Sequence, residues 1–220
     1  QLNKDYFNDL LKLSTLTTVN AAKHSASEAV KTARDDIKLS GLIYPLMQAL
    51  DEVYLDVDAQ FAGLDQRKIL VYDREYLPKI GYKPRIELMV PMIKGLVGKQ
   101  MSSSVQSSKI DLLDDEKMVE QKVNKAVCSP PDTENGLMDI LKYLVFVIKE
   151  DKGEKFIISR KKEYGGDLIY NSYSELEKDF RYLKLHPADL KNAVAREINS
   201  LLREFRKDKK IHELHKEAYN

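Results

Sequence analysis

Val57-Asp58-Ala59-Gln60-Phe61-Ala62-Gly63-Leu64-Asp65-Gln66-Arg67-Lys68 is the stretch that decides how this chain folds. Val57, Ala59 and Phe61 alternate with Asp58 and Gln60, the period-two pattern of a strand, and Gly63 ends it. Residues 65–76 then read as a helix stopped near Pro78 and Gly81, and residues 86–90 read as the next strand. Strand, helix, strand predicts an α/β layer. Ligands of open α/β sheets bind beyond the carboxyl ends of the strands. Residues 63–66 and the downstream loop Gly98-Lys99-Gln100-Met101-Ser102-Ser103-Ser104 therefore occupy positions suited to one shared ligand. That loop offers hydroxyls, backbone N–H groups and a lysine with little bulk, which suits a triphosphate. In isolation the same heptapeptide would read as a flexible connector.

Upstream, helical periodicity covers residues 6–16, then 25–34 with Ser25 and Glu28 at capping-box spacing, then 39–55. The third helix carries an apolar stripe of Leu42, Leu46, Leu50 and Val53. Beside the stripe, Tyr44, Gln48 and Asp51 follow an i, i+4, i+7 spacing that stacks a phenol, an amide and a carboxylate on one face. By spacing alone this is either a solvated edge or a binding face. Asp65 and Gln66 follow a glycine at a strand end, where backbone approaches a ligand closely and a carboxylate can accept two sugar hydroxyls; a capped turn fits the same residues.

Beyond residue 110 the pattern is mostly helical. Asp114 is positioned to cap a helix over residues 115–127, and residues 136–149 carry a stripe of Leu137, Ile140, Leu141, Leu144 and Ile148. Residues 156–159 and 168–170 flank a charged turn with Gly165 and Gly166, a hairpin presenting Tyr164 at its tip. Ser174 and Glu177 have capping-box spacing, and Pro187 opens a long helix with the stripe Leu190, Val194, Ile198, Leu201 and Phe205.

Composition sets the outer limits. The chain has 220 residues, 36 Lys plus Arg against 35 Asp plus Glu, and a formal net charge of +1, so any nucleic-acid surface must be local. One cysteine, Cys128, excludes an internal disulfide and lacks a nearby histidine pattern for a zinc site or an activated nucleophile. A reducing cytoplasm is expected, with no metal site, no membrane span and no signal peptide. The chain begins with Gln1 rather than Met, inside a helical pattern with no start signal, and a fragment is expected.

Taken in order, Tyr44-Pro45-Leu46-Met47-Gln48-Ala49-Leu50-Asp51, the 57–68 stretch and Gln100-Met101-Ser102-Ser103-Ser104 resemble the tyrosyl-tRNA synthetases of the eukaryotic and archaeal type. Ser108-Lys109-Ile110-Asp111-Leu112-Leu113, Tyr164-Gly165-Gly166-Asp167 and His186-Pro187-Ala188-Asp189-Leu190-Lys191 extend the resemblance over essentially the whole chain. It implies a partial Rossmann-like class I catalytic domain over residues 1–108 and a mainly helical anticodon-binding domain over residues 109–220. Asp51 would accept the phenolic hydroxyl of tyrosine, and Tyr44, Gln48 and Gln66 would hold its α-amino group. Gly63, Asp65 and Met101 would line ATP and the adenylate. Lys99, Gln100, Ser102, Ser103 and Ser104 would close over the pyrophosphate, with ATP entering as its Mg2+ complex. Tyr164 and His186 would sandwich the first anticodon base, a guanine, whose Watson–Crick edge Asp189 would read. The implied partners are tyrosine, ATP and tyrosine-accepting tRNA, on a homodimer or pseudo-dimer. On residue chemistry alone, Asp189 also fits a helix N-terminus, His186 a turn and Tyr164 an ordinary surface.

Two departures from the family pattern stand out. A lysine usually precedes the Met of the serine loop, whereas here that residue is Gln100 and the lysine is Lys99, so the loop delivers its charge from a different position. The family's first nucleotide-binding element, with its His-Ile-Gly-His type signature, has no counterpart in the chain. A fragment of a complete synthetase is the favoured account. A half that pairs with another polypeptide, and a catalytically degenerate half or tRNA-binding module that keeps anticodon recognition, are the alternatives.

Overall fold

A computed structural model of the chain describes residues 3–29, 37–98, 101–102 and 105–219. It forms two compact units, Gln1–Met92 and Ile93–Asn220. The division between the two units falls after Met92.

In the first unit, α1 (Lys4–Leu16) starts where the Asn3 side chain accepts the Tyr6 amide at 2.8 Å. Helix α2 (Val19–Ala26) starts at Thr18, whose hydroxyl accepts the Ala21 amide. This corrects the expected start at Ser25. That residue is buried near the end of α2 and donates its hydroxyl to the Ala22 carbonyl, a bond that serves an exit rather than an entry. Residues 30–34 of the expected helix lie outside the described residues.

Helix α3 (Leu39–Tyr54) is the centre of the unit and packs on α1 and α2. Leu46, Ala49 and Leu50 are buried against Tyr6, Leu13 and Ala22, and Leu42 and Val53 close the ends of the stripe as expected. Pro45 sits inside this helix and cannot donate to the Gly41 carbonyl, a substitution that costs about 3 kcal/mol in a helix interior unless packing offsets it. Its burial supplies that packing.

Strand β1 (Ala59–Gly63) leads through a three-ten turn, Leu64–Gln66, into α4 (Arg67–Tyr76). A second such turn, Leu77–Ile80, ends on Gly81 at φ 92°, and β2 (Ile86–Val90) returns beside β1. The strands are parallel, with Phe61 opposite Leu88 and Gly63 opposite Val90. The order strand, helix, strand is as expected, and the polar set of the alternation is the one that is covered. Phe61, Ile86 and Leu88 turn outward, 71%, 62% and 51% exposed, while Gln60 and Glu87 turn inward. The inward residues meet charge rather than hydrocarbon: Glu52 on α3 and Asp73 on α4 are both buried. Asp73 is pushed up to about 10 by desolvation first and then by the Glu52 charge, and desolvation raises Glu52 as well.

The second unit is built on α5 (Glu116–Lys125) and a long later helix, α9, described below. Asp115, not Asp114, caps α5 by accepting the Met118 amide. Asp114 instead accepts from the Asp111 amide and the Lys122 ammonium, which competes with capping for its carboxylate. Helix α6 (Gly136–Ile140) passes through one π-turn, Leu141–Val145, into α7 (Phe146–Asp151). The π-turn inserts a residue and rotates the face beyond it. Val145 and Phe146 are therefore buried and Leu144, expected in the stripe, is exposed.

Strands β3 (Phe156–Ile158) and β4 (Leu168–Tyr170) form the expected antiparallel hairpin. Helix α8 (Tyr173–Arg181) is capped two residues earlier than expected, by Ser172, because Ser172 and Glu175 repeat the spacing of Ser174 and Glu177. Helix α9 (Pro187–Lys207) buries Leu190, Val194, Ile198 and Leu202, and α10 (Lys209–Tyr219) follows it. Among the described residues, no helix is long and apolar enough to cross a membrane.

Candidate functional site

Because Tyr44, Gln48 and Asp51 rise on one face of α3, they form a wall, and β1 supplies the facing wall with Gln60 and Phe61. Between them lies a cavity of about 550 Å³, which Gln66 also lines. Behind its lining, Gln48 Oε1 and Gln60 Oε1 are buried without a hydrogen-bond partner, and Glu52 faces the buried carboxyl of Asp73. A buried acceptor left unpaired costs about 1–3 kcal/mol, so such a wall favours a ligand rich in donors. An ammonium group brings three donors and no acceptor. Asp51 Oδ1 accepts from the phenol of Tyr6 at 3.0 Å, a bond between α1 and α3 across 45 residues.

The space beside Gly63 in the turn after β1 is taken by side-chain ends. A Cβ on Gly63 would stand 2.6 Å from Asp65 Oδ1 and 2.9 Å from Met92 Sδ. Asp65 Oδ2 accepts from Gln66 Nε2 at 2.9 Å, so the turn and the α3 cavity are joined through one carboxylate–amide pair.

In the second unit, Lys99, Gln100, Ser103 and Ser104 lie outside the described residues. Met101 and Ser102 are described, and Ser102 donates its amide to Ser108 Oγ at 3.0 Å. Ser108 is buried; its hydroxyl reaches the Val105 carbonyl and its own carbonyl accepts from the Leu96 amide. The loop is thus closed at a neck, Leu96 to Ser108.

The family described as tRNA synthetases class I (W and Y) matches residues 1–203. The chain belongs to that family. It is 47% identical over 203 residues to the cytoplasmic tyrosine–tRNA ligase of Gallus gallus, covering 92% of this chain and 38% of that protein. To the cytoplasmic tyrosine–tRNA ligase of Saccharomyces cerevisiae it is 45% identical over 229 residues, covering all of this chain and 58% of that one. The solved tyrosyl-tRNA synthetase of Archaeoglobus fulgidus, complexed with L-tyrosine, superposes with a TM-score of 0.81 at 41% identity, covering 94% of this chain and 63% of that one. The chain therefore spans less than two thirds of the length of these relatives. The partial class I synthetase fold expected from the sequence is the fold observed.

Within this class I synthetase chain, the structure brings together Tyr44, Gln48, Asp51 and Gln66 around one cavity and ties Asp65 and Gly63 to it through Gln66. Tyr164 ends a three-ten turn before Gly165 and Gly166, both at positive φ, and stands 66% exposed. His186 caps α9, its Nδ1 accepting the Ala188 amide at 3.2 Å, which leaves Nε2 facing away from the helix. Asp189 lies in the first turn of α9. The hairpin meets the same helix through Arg196, which donates to the Ile157 carbonyl, seven residues or about 10 Å along the axis from Asp189. Cys128 is buried and its thiol is pushed up to about 11 by desolvation, which removes thiolate chemistry at neutral pH.

Sequence reasoning missed Glu52, Gln60 and Tyr6. Glu52, one turn beyond Gln48, lines the same cavity but lies just outside the quoted motif, and the alternation of residues 57–61 does not say which face of the strand is covered. Tyr6 has no local signal linking it to Asp51. Ser108 was seen only as part of a motif, and its closure of the loop is a tertiary fact.

Proposed function

We propose that the protein containing this chain is a tyrosine–tRNA ligase. The observation that carries this reading is the cavity of the first unit, around which Tyr44, Gln48, Gln60 and Gln66 gather with Asp51. Tyr44, Gln48 and Gln66 receive the α-ammonium of tyrosine. Asp51 accepts the phenolic hydroxyl, and phenylalanine is rejected because it would leave a desolvated carboxylate without that donor.

The tyrosine carboxylate attacks the α-phosphorus of MgATP, forming tyrosyl-adenylate and releasing pyrophosphate. The 3′-terminal ribose hydroxyl of tRNA then takes the tyrosyl group and AMP leaves. Neither step needs a protein nucleophile, so charge stabilisation and positioning carry the rate. Gly63 gives the adenylate ribose room and Asp65 accepts its hydroxyls. Met101 borders the adenylate, and Lys99, Gln100, Ser102, Ser103 and Ser104 serve the pyrophosphate. Mg2+ belongs to the nucleotide substrate; among the described residues no group of three metal-ligating side chains gathers.

In the second unit, the Asp189 carboxylate pairs with the N1–H and N2–H of a guanine stacked between Tyr164 and His186. We further propose residues 1–108 and 109–220 as the functional division, a dimeric assembly and a cytoplasmic setting, the last in keeping with the names of the relatives. A second reading, a tRNA-binding half without catalysis, is favoured by Gln100 where the family pattern has lysine.

Tyrosine-dependent exchange of pyrophosphate into ATP by the full-length protein separates the two. Exchange that Asp51→Ala reduces at least 100-fold supports the ligase. Absence of exchange, beside tRNA binding that weakens on Asp189→Ala, selects the binding module.

A further inference from the structure

Helices α1 and α3 are joined by two reciprocal phenol–carboxylate bonds. Tyr6 of α1 donates to Asp51 Oδ1 of α3 at 3.0 Å, and Tyr54 of α3 donates to Asp9 Oδ2 of α1 at 2.8 Å. Both pairs span 45 residues and lie three residues apart along each helix, so they are successive rungs of one ladder. The rings touch edge to face with centroids 5.0 Å apart. The two rungs differ in what lies beyond them. Asp9 also takes Lys12 and Tyr82 and belongs to the scaffold, whereas Asp51 lines the cavity of the first unit.

We propose that Tyr6 is a positioning residue for substrate selection: its hydroxyl fixes the plane of the Asp51 carboxylate, and so the direction from which Asp51 accepts a ligand phenol. This rests on the tyrosine–tRNA ligase reading of the cavity. Tyr6 is suited to the task in three ways. Its ring is 1% exposed and cannot swing away. Its one O–H proton is shared between Asp51 Oδ1 and the Met47 carbonyl, each 3.0 Å away on α3, so the hydroxyl is held against one stretch of that helix before any ligand arrives. Burial first, then the Asp51 bond and charge, raise the phenol well above its ordinary value, so it remains a donor throughout the working pH range.

A carboxylate free to rotate about its Cβ–Cγ bond would accept from a water almost as well as from a substrate hydroxyl. Held in one plane by Tyr6, it meets the phenol of tyrosine in line and leaves phenylalanine facing a fixed, desolvated oxygen. The selection therefore depends on a residue that does not touch the substrate.

The test uses the full-length protein and the variant Tyr6→Phe, which keeps the ring and removes the hydroxyl. In pyrophosphate exchange, KM for tyrosine should rise about five- to tenfold with kcat within about twofold, and the preference for tyrosine over phenylalanine should fall by a similar factor. Tyr54→Phe cuts the neighbouring rung and should leave that preference unchanged. If Tyr6→Phe does not fold, p-aminophenylalanine at position 6, which restores a donor, should fold and keep the wild-type preference; loss of preference there overturns the proposal. Equal KM and equal preference in wild type and Tyr6→Phe overturn it too, as does an equal loss in Tyr54→Phe, which would make the effect one of helix packing. A wild-type protein that neither binds nor activates tyrosine removes the substrate reading and this inference together.

Discussion

Two glycines with equally crowded surroundings make opposite predictions, because what crowds them differs. At Gly63 the atoms in the way are the ends of the Asp65 and Met92 side chains, which can turn aside. Gly63→Ala should cost less than about 1 kcal/mol in thermal unfolding yet raise KM for ATP severalfold in the full-length protein, since the displaced Asp65 is the proposed ribose ligand. At Gly136 a Cβ would stand 2.5 Å from the Gly95 carbonyl oxygen and 2.7 Å from that of Lys94. Backbone cannot step aside, and Gly136→Ala should cost about 2–3 kcal/mol, read as a fall in Tm. The buried carboxylates make a pH prediction. Asp73 is protonated more readily in the folded state than in the unfolded chain, so folding takes up a proton. The associated stability is complete below the unfolded carboxylate range and declines as pH rises from about 4 toward about 10. Asp73→Asn should flatten that decline and raise stability by about 1–2 kcal/mol at pH 8, checked by denaturant melts at several pH values. Residues grouped by helical spacing were legible in the sequence: Tyr44, Gln48 and Asp51 needed only the helix period. Tyr6 was not, because its partner is 45 residues away and hydrogen bonding across that distance leaves no periodic trace.

Elements were legible in kind and blurred at their ends. Two mislocated starts involved residues of the same chemistry within two positions, Asp114 and Asp115 and then Ser172 and Ser174, where local pattern offers two caps and tertiary competition selects one. For α8 the choice is testable: Ser172→Ala should cost about 1 kcal/mol, and Ser174→Ala should fall within about 0.5 kcal/mol of wild type. The π-turn between α6 and α7 is a different kind of miss. Leu144 continues the stripe perfectly in a regular helix, and only the inserted residue at Leu141–Val145 turns it outward in favour of Val145. The polar covered face of β1 and β2 follows the same logic in a strand. Alternation fixes which residues share a face, not which face is covered.

At the scale of the whole molecule, the first unit presents Phe61, Ile86 and Leu88 side by side on a parallel sheet of two strands. Contiguous apolar surface of this kind drives association, and the 220-residue chain on its own should bind a hydrophobic dye and self-associate at micromolar concentration. Phe61→Ser should reduce both, measured by fluorescence and light scattering. The second unit solves its own exposed segment by other means. The Leu96 amide and the Ser108 carbonyl are bonded to each other at 3.0 Å, which holds the two ends of the intervening chain together. Doubling a loop's length costs only about 0.6 kcal/mol in closure entropy once its ends are held. Insertions or exchanged sequences between positions 97 and 107 should accordingly leave the folding of the second unit intact, making this stretch a cassette whose chemistry can be rewritten independently of the framework that carries it.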